Sequence, residues 1–564
     1  MNDPTQPTRR SARPLQVAAG LAALSLLAGA CGAEEKQARA KPPEDVVVDE
    51  SGLAEAGAPV RGGRIVYGVE AETSGGFCLP EARLAASGIL IRNTIYDSLT
   101  ALNDDAEAKP FLAKSIEPDD EYKTWTIGLR DGVKFHDGTT LDATVVKNNL
   151  DAYLGRRPPR APTQFPISLG NIDTVTVEDD RTVVVTTKLP WVSLPVYLTQ
   201  VGIMGQSQLD DPDSCDSKMV GTGPFKLASW VPDQELLTQR NPDYWQIAPD
   251  GQPYPYADAI AFRPITDAQQ RINALEAGEI NAMASSAPND LYGSLTDLKD
   301  DGKINLLISD DHAEVSFIML NNSKAPFDDE KMRRAFAMGI DREAYNELLN
   351  GGVSTIADQP FPEGDIGYVD DPGYPGRDPE AATKLVQEYI AEGGDPSFTL
   401  NVSSEPLVLA RGEVLQNQLS KIGVAVKLHS VDQATLINEA IAGSFQAVIW
   451  RGHPGGDPDA QYIWWHGQGN PTNFARIEDP DLDALLEAGR LEADPAKRRE
   501  IYEDVSRRFG EKVYNIWLTY YEWGVALSPE VHGVLSAPLP DDGGDAFKGL
   551  FGGHPTLGMW ITSG

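Results

Sequence analysis

Leu129-Arg130-Asp131-Gly132-Val133-Lys134-Phe135-His136-Asp137-Gly138-Thr139 is the stretch that decides the fold. It leaves a strand, because Thr124 to Arg130 puts Trp125, Ile127 and Leu129 on one face at a period of two. Gly132 and Gly138 stand where turns need backbone angles that residues with a Cβ avoid. A helix is expected from about Ala143.

The same alternation of strand, turn and helix continues outward. Val175/Val177 and Val183/Val185 flank Glu178-Asp179-Asp180-Arg181 as a hairpin. Thr266-Asp267-Ala268-Gln269 reads as a capping box whose helix stops at Gly278. Asp378-Pro379 opens a helix with Leu385, Val386, Tyr389 and Ile390 inward. Leu415, Leu419 and Ile422 share a helical face, Gly423 stops that helix, and Val424, Val426 and Leu428 alternate as a strand. Asp494-Pro495 begins a further helix carrying Ile501, Tyr502, Val505 and Phe509. The pattern is α/β.

The chain has 564 residues, enough for two or three domains. Its 84 acidic and 48 basic residues give a net charge of −36, a surface that phosphate backbones repel, so nucleic-acid partners are not expected. No Gly-x-Ser-x-Gly elbow and no Gly-x-x-x-x-Gly-Lys-Ser/Thr loop occurs, which removes the support for a hydrolase nucleophile or an ATPase. The seven histidines include no His-Glu-x-x-His pair, and neither a metal nor a cofactor is expected.

At the N-terminus, Arg9, Arg10 and Arg13 precede a run from Leu15 to Ala30 that is apolar or small apart from Gln16 and Ser25. The run is shorter than the roughly 20 residues that a membrane span needs. It reads as a secretory signal over 1–30. The signal ends in Leu27-Ala28-Gly29-Ala30-Cys31, which resembles a bacterial lipobox, so Cys31 is expected to carry lipid; an ordinary signal with an incidental cysteine is the alternative. Residues 31–61, rich in Ala, Glu, Pro and Gly, then form a lipidated tether. Order is expected from near Gly63. Cys78 and Cys215 remain, an even pair in an exported chain and a candidate disulfide, with two buried thiols as the alternative.

Three further motifs follow the first in order. They are Gly221-Thr222-Gly223-Pro224-Phe225-Lys226 with Trp230 and Arg240-Asn241-Pro242-Asp243-Tyr244-Trp245; Asn322, Pro326-Phe327-Asp328-Asp329 and Arg333 to Arg342; and Asp479-Pro480-Asp481-Leu482-Asp483 with Asp494, Arg498-Arg499 and Tyr502. Together the four span about 62–535 and resemble the ABC-transporter extracellular solute-binding proteins of family 5, receptors for oligopeptides, dipeptides or nickel. The resemblance implies a two-lobed α/β fold of the type II periplasmic-binding kind, with a hinge and an N-terminal lobe enlarged by an extra subdomain. Lobe I is expected over 62–310, lobe II over 311–515, and a return to lobe I over 516–564. It implies a monomeric binder rather than an enzyme, exported, lipid-anchored on the outer face of the cell membrane, and delivering peptides to an ABC permease. A sugar, an amino-acid derivative or a metal chelate is the alternative solute; a secreted hydrolase or adhesion module is the alternative class. The motifs themselves read as turn and core chemistry.

For the ligand site, Trp450-Arg451-Gly452-His453-Pro454-Gly455-Gly456-Asp457-Pro458-Asp459 is the candidate loop, after the strand Ala447-Val448-Ile449 and before Trp464-Trp465. Trp450 would wall the solute, Arg451 would pair with a carboxylate, and Asp457 or Asp459 would accept from an ammonium. The other reading makes Trp450 core and Asp457-Pro458-Asp459 a helix cap. In peptide-binding members of the family an Asp shortly after the Trp holds the ammonium; here that place falls to His453, with Asp457 as substitute. Phe77, after the first strand, is a further candidate.

Overall fold

The structure, a computed structural model, describes residues 56–562 except 74–75, 163–164, 216, 453–455, 468 and 548–555. Ten strands form its main sheet: β1 (Arg64–Val69), β2 (Phe225–Val231), β3 (Glu235–Arg240), β4 (Ala259–Pro264), β5 (Ala282–Ser285), β6 (Asn305–Leu320), β7 (Phe398–Ser403), β8 (Val426–Val431), β9 (Ala447–Gly452) and β10 (Asn515–Leu527). Their spatial order is β8-β7-β9-β6-β10-β5-β1-β4-β3-β2.

Two strands are long enough to cross the molecule. Asn305–Ser309 of β6 pairs antiparallel with Leu527–Trp523 of β10, and Glu314–Met319 pairs with Tyr521–Asn515. Between these runs the register breaks, residues 310–313 standing opposite Glu522 alone. On one side of the break β10 pairs with β5, and on the other β6 pairs with β9. The apolar cores divide the same way. One group draws on residues up to Leu307 and from Trp523 onward, with Ile463 the exception. The other draws only on Val315 to Tyr520. This is a two-lobed α/β molecule hinged on a crossing pair of strands.

Lobe I also holds an antiparallel sheet of Ala113–Pro118, Thr124–Leu129, Thr182–Thr187 and Ile172–Asp179. Its hairpin pairs Val177 with Val183 and Val175 with Val185. Gly132 and Gly138 both have positive φ, 75° and 85°, and the helix after them runs Ala143–Tyr153. Two details depart from the sequence reading. The helix Ala268–Glu276 is capped by Asp267, whose carboxylate accepts from the Gln270 N–H, and not by Thr266. Ile390 is exposed; the helix Pro379–Ala391 buries Ala382 and Val386 instead.

The first two motifs meet inside lobe I. A Cβ on Gly221 would lie 2.1 Å from the Ile95 carbonyl oxygen and one on Gly223 2.5 Å from it, so only glycine fits this turn. Asp97, fully buried, accepts from Thr222 Oγ1 and Trp245 Nε1, each at 2.9 Å. His136 braces the same turn: its Nε2–H donates to the Gly223 carbonyl at 2.9 Å and its Nδ1 accepts from the Gly221 N–H at 3.3 Å.

Both bonds use the neutral imidazole. Burial pushes the His136 pKa down to about 4. As pH falls below about 6.5 the unfolded chain therefore takes up the proton first, so the stability His136 contributes is whole above that pH and shrinks toward its folded pKa. In thermal melts, the gap between wild type and His136→Gln is expected to be widest near pH 7–8 and to narrow steadily toward about pH 4; a constant gap would refute the titration account.

Candidate functional site

Alternation builds the site. β6 turns Val315, Phe317 and Met319 to one side and Ile318 and Leu320 to the other; β10 does the same with Asn515 and Trp517 against Ile516 and Leu518. The second set enters the core behind the sheet. The first lines a cavity of about 90 Å³, partly open to solvent. Trp450 and Gly452 of β9, residues 360–362 and 365–366, and parts of 456–465 and 472–475 complete the wall. The rings meet edge to face: Trp450 and Trp464 on Phe474, with centroids 5.9 and 5.3 Å apart, and Phe361 on Trp465 at 5.8 Å.

The cavity is walled by lobe II, and two of its wall residues reach lobe I. Arg451 Nη1 donates to Ser286 Oγ of lobe I at 2.6 Å and lies 3.7 Å from the buried Glu314 carboxylate. A Cβ on Gly456 would come within 2.9 Å of Ala106 Cβ, also of lobe I. Burial works against the Arg451 charge, but Glu314, Glu70 and Glu405 outweigh it and raise the guanidinium pKa.

Asp457, half-buried, is bidentate to Arg498 at 2.6 and 2.8 Å. It also caps the short helix Pro458–Gln461 by accepting from the Asp459 N–H at 2.9 Å. Asp459 is fully buried and points the opposite way, toward lobe I. It pairs with Arg490 at 3.0 Å, and it accepts from Trp191 Nε1 at 3.0 Å and from Ser193 Oγ. Tyr197 donates to the Asp459 carbonyl at 2.5 Å, and the Arg490 guanidinium lies 3.6 Å over the Tyr462 ring. Thus residues 456–465 wall the cavity with one side and grip 191–197 of lobe I with the other.

Comparison with known proteins now has a geometry to meet. Residues 107–474 match the model of the bacterial extracellular solute-binding proteins, family 5, middle region. The chain belongs to that family. Similar proteins include the probable D,D-dipeptide-binding periplasmic protein DdpA of Escherichia coli, 28% identical over 76% of this chain and 82% of that one, and heme-binding protein A of Haemophilus influenzae, 27% identical over 84% and 91%. Among solved structures, AgaA of A. tumefacien R10 in complex with agropinic acid aligns with TM-score 0.79 at 25% identity, covering 89% of this chain and 99% of that one. AppA from Bacillus subtilis with a nonapeptide aligns with TM-score 0.76 at 22% identity over 90% and 100%, a likeness of fold.

Of the residues that family membership directs attention to, Trp450, Arg451 and Asp457 come together at the cavity. Trp450 and Arg451 lie within strand β9, not in a loop after it. His453 lies outside the described residues, as does Cys31. Phe77 is fully buried in the lobe I core, edge-on to Trp230 at 5.6 Å, and is absent from the cavity wall. Cys78 and Cys215 are joined as a disulfide. Among the described residues no three His, Cys, Asp or Glu side chains gather as metal ligands, and no helix is long and apolar enough to cross a membrane. Phe317, Phe361, Phe474, Asn515, Trp517 and the Asp459–Arg490 pair escaped the sequence reading. For the β6 residues a signal was there, the alternation Val315, Phe317, Met319.

Arg490→Met leaves the buried Asp459 without its counter-ion and is expected to cost about 3–5 kcal/mol in chemical denaturation. Adding Asp459→Leu is expected to recover part of that loss, because no charge then stays buried. A double variant that loses as much as Arg490→Met and Asp459→Leu summed would show that the pair is not coupled.

Proposed function

We propose that this chain is the capture component of an ABC importer. It binds a peptide in the aromatic cavity, closes about its hinge, and presents the closed form to a permease. It acts as a monomer, tethered through lipid on Cys31 at the outer face of the membrane, and it returns its solute unchanged rather than transforming it. The observation that carries this reading is the cavity itself, a ring-lined space in lobe II whose wall residue Arg451 bonds Ser286 of lobe I. Relatives named for D,D-dipeptides and for di- and tripeptides supply the solute class.

Closure is selected only by contacts the solute makes in the closed state. We place the crossings at 310–313 and Glu522, where the β6–β10 register breaks, so lobe II continues a few residues past the return expected at 516. Trp450 walls the solute, while Arg451 and Asp457, each already paired within the protein, fix the wall and leave the solute's termini unclaimed.

A thermal-shift panel on residues 32–564 tests the reading, with di-, tri- and pentapeptides, their N-acetylated forms, sugars and metal chelates. A solute at a hundred times its Kd adds about 2.7 kcal/mol of stability. Free and acetylated peptides are both expected to raise the melting temperature, because Asp457 is committed to Arg498. A shift with sugars or chelates and none with peptides would transfer the receptor to another solute class. Mass spectrometry of the incubated peptide showing cleavage would overturn the binding role.

A further inference from the structure

Two polar atoms in the cavity wall have no partner within the protein. Asn515 Oδ1 and Trp517 Nε1 are buried and make no hydrogen bond, though both side chains are 1% exposed and line the cavity. They sit two residues apart on β10, on the face that strand turns to the cavity. A buried acceptor and a buried donor without partners in one cavity wall need an explanation. The wall around them is mainly aromatic, Phe317, Trp450, Trp464, Trp465 and Phe474, with Gln461 and Thr472 as its other neutral polar side chains. The ionic groups are a poor match for a charged guest. Arg451 is held by Ser286 and Glu314, and Asp457 by Arg498. Asp365, half-exposed, is the remaining charged residue of the wall.

We propose that this cavity is a side-group pocket for an aromatic ring bearing one neutral hydrogen-bonding group, a phenol or an indole. The ring packs among the Phe and Trp faces, and its polar atom meets Asn515 and Trp517. Asn515 Oδ1 takes an O–H or N–H donor; Trp517 Nε1–H gives its hydrogen to a phenol oxygen. The solute's charged groups remain outside, at the lobe boundary. The inference deepens the receptor reading by naming what the solute carries, and it is testable without knowing the rest of the solute.

The probes are p-cresol, indole, toluene, ethylammonium and acetate, titrated into the folded chain and followed by ligand-observed NMR and melting temperature. p-Cresol and indole are expected to bind several-fold more tightly than toluene, and the two ions not at all. Asn515→Leu should bring p-cresol and indole down to the toluene level, and Trp517→Phe should do so for p-cresol alone. Ala475→Phe or Val315→Phe, each placing a ring in the cavity, should abolish all three; using both guards against one failing to fold. Binding that survives both filling variants, a preference for the ions, or no fragment binding to wild type would each overturn the assignment. Ala-Tyr-Ala and Ala-Ala-Ala separate this from the receptor reading. Equal binding of the two peptides defeats the pocket and leaves peptide capture standing. p-Cresol binding with neither peptide bound defeats peptide capture and leaves the pocket.

Discussion

The antiparallel pairing of two long strands across the lobe boundary is the constraint on which the rest of this structure depends. β6 and β10 each contribute one half to each lobe, so neither lobe completes its sheet without them. The register break at 310–313 against Glu522 sits between the two paired runs. A break of this kind gives up ladder bonds locally and lets the ribbon bend there, while the paired runs on either side stay stiff. The hinge is therefore part of the sheet rather than a loop between domains, and the division of the apolar cores at the same place follows from it.

The sequence made the scaffold legible because each motif encodes a local necessity. Gly221 and Gly223 admit the Ile95 carbonyl, and Asp378 and Asp494 cap helices with Pro at the first helical position. Such features are settled within a few residues. The cap at Asp267 rather than Thr266, and the outward Ile390, show the limit of that locality: one residue of helix phase decides which side chain faces in. The binding wall was legible only in part. Trp450 stood out by composition, but the rest of its wall comes from segments at least 65 residues away, 315–319 on β6 and 515–517 on β10. Period-two alternation marks which residues share a face and is silent on what the face meets. The pairing of Asp457 was hidden for a related reason, since a carboxylate in a loop gives no sign that an arginine 41 positions on bonds it.

Charge inside the site follows one rule. Each ionic side chain whose partner is known is neutralised by another part of the chain, Arg451 by Glu314, Asp457 by Arg498, and Asp459 by Arg490. Buried charges demand this, since an uncompensated one costs several kcal/mol. The acidity of the whole chain, −36, is thus a property of its surface and says little about what the cavity accepts.

The segment 456–465 joins two processes that could have been separate. One side lines the cavity, and the other, through Asp459, accepts hydrogen bonds from Trp191 and Ser193. Arg490 travels with Asp459 in lobe II, whereas the two donors belong to lobe I. Parting the lobes therefore breaks buried, charge-assisted bonds before water can replace them, and that raises the barrier to opening more than it changes the approach of a solute to the open form. The lifetime of the closed form is in this way set partly by residues outside the cavity wall, through the grip on 191–197.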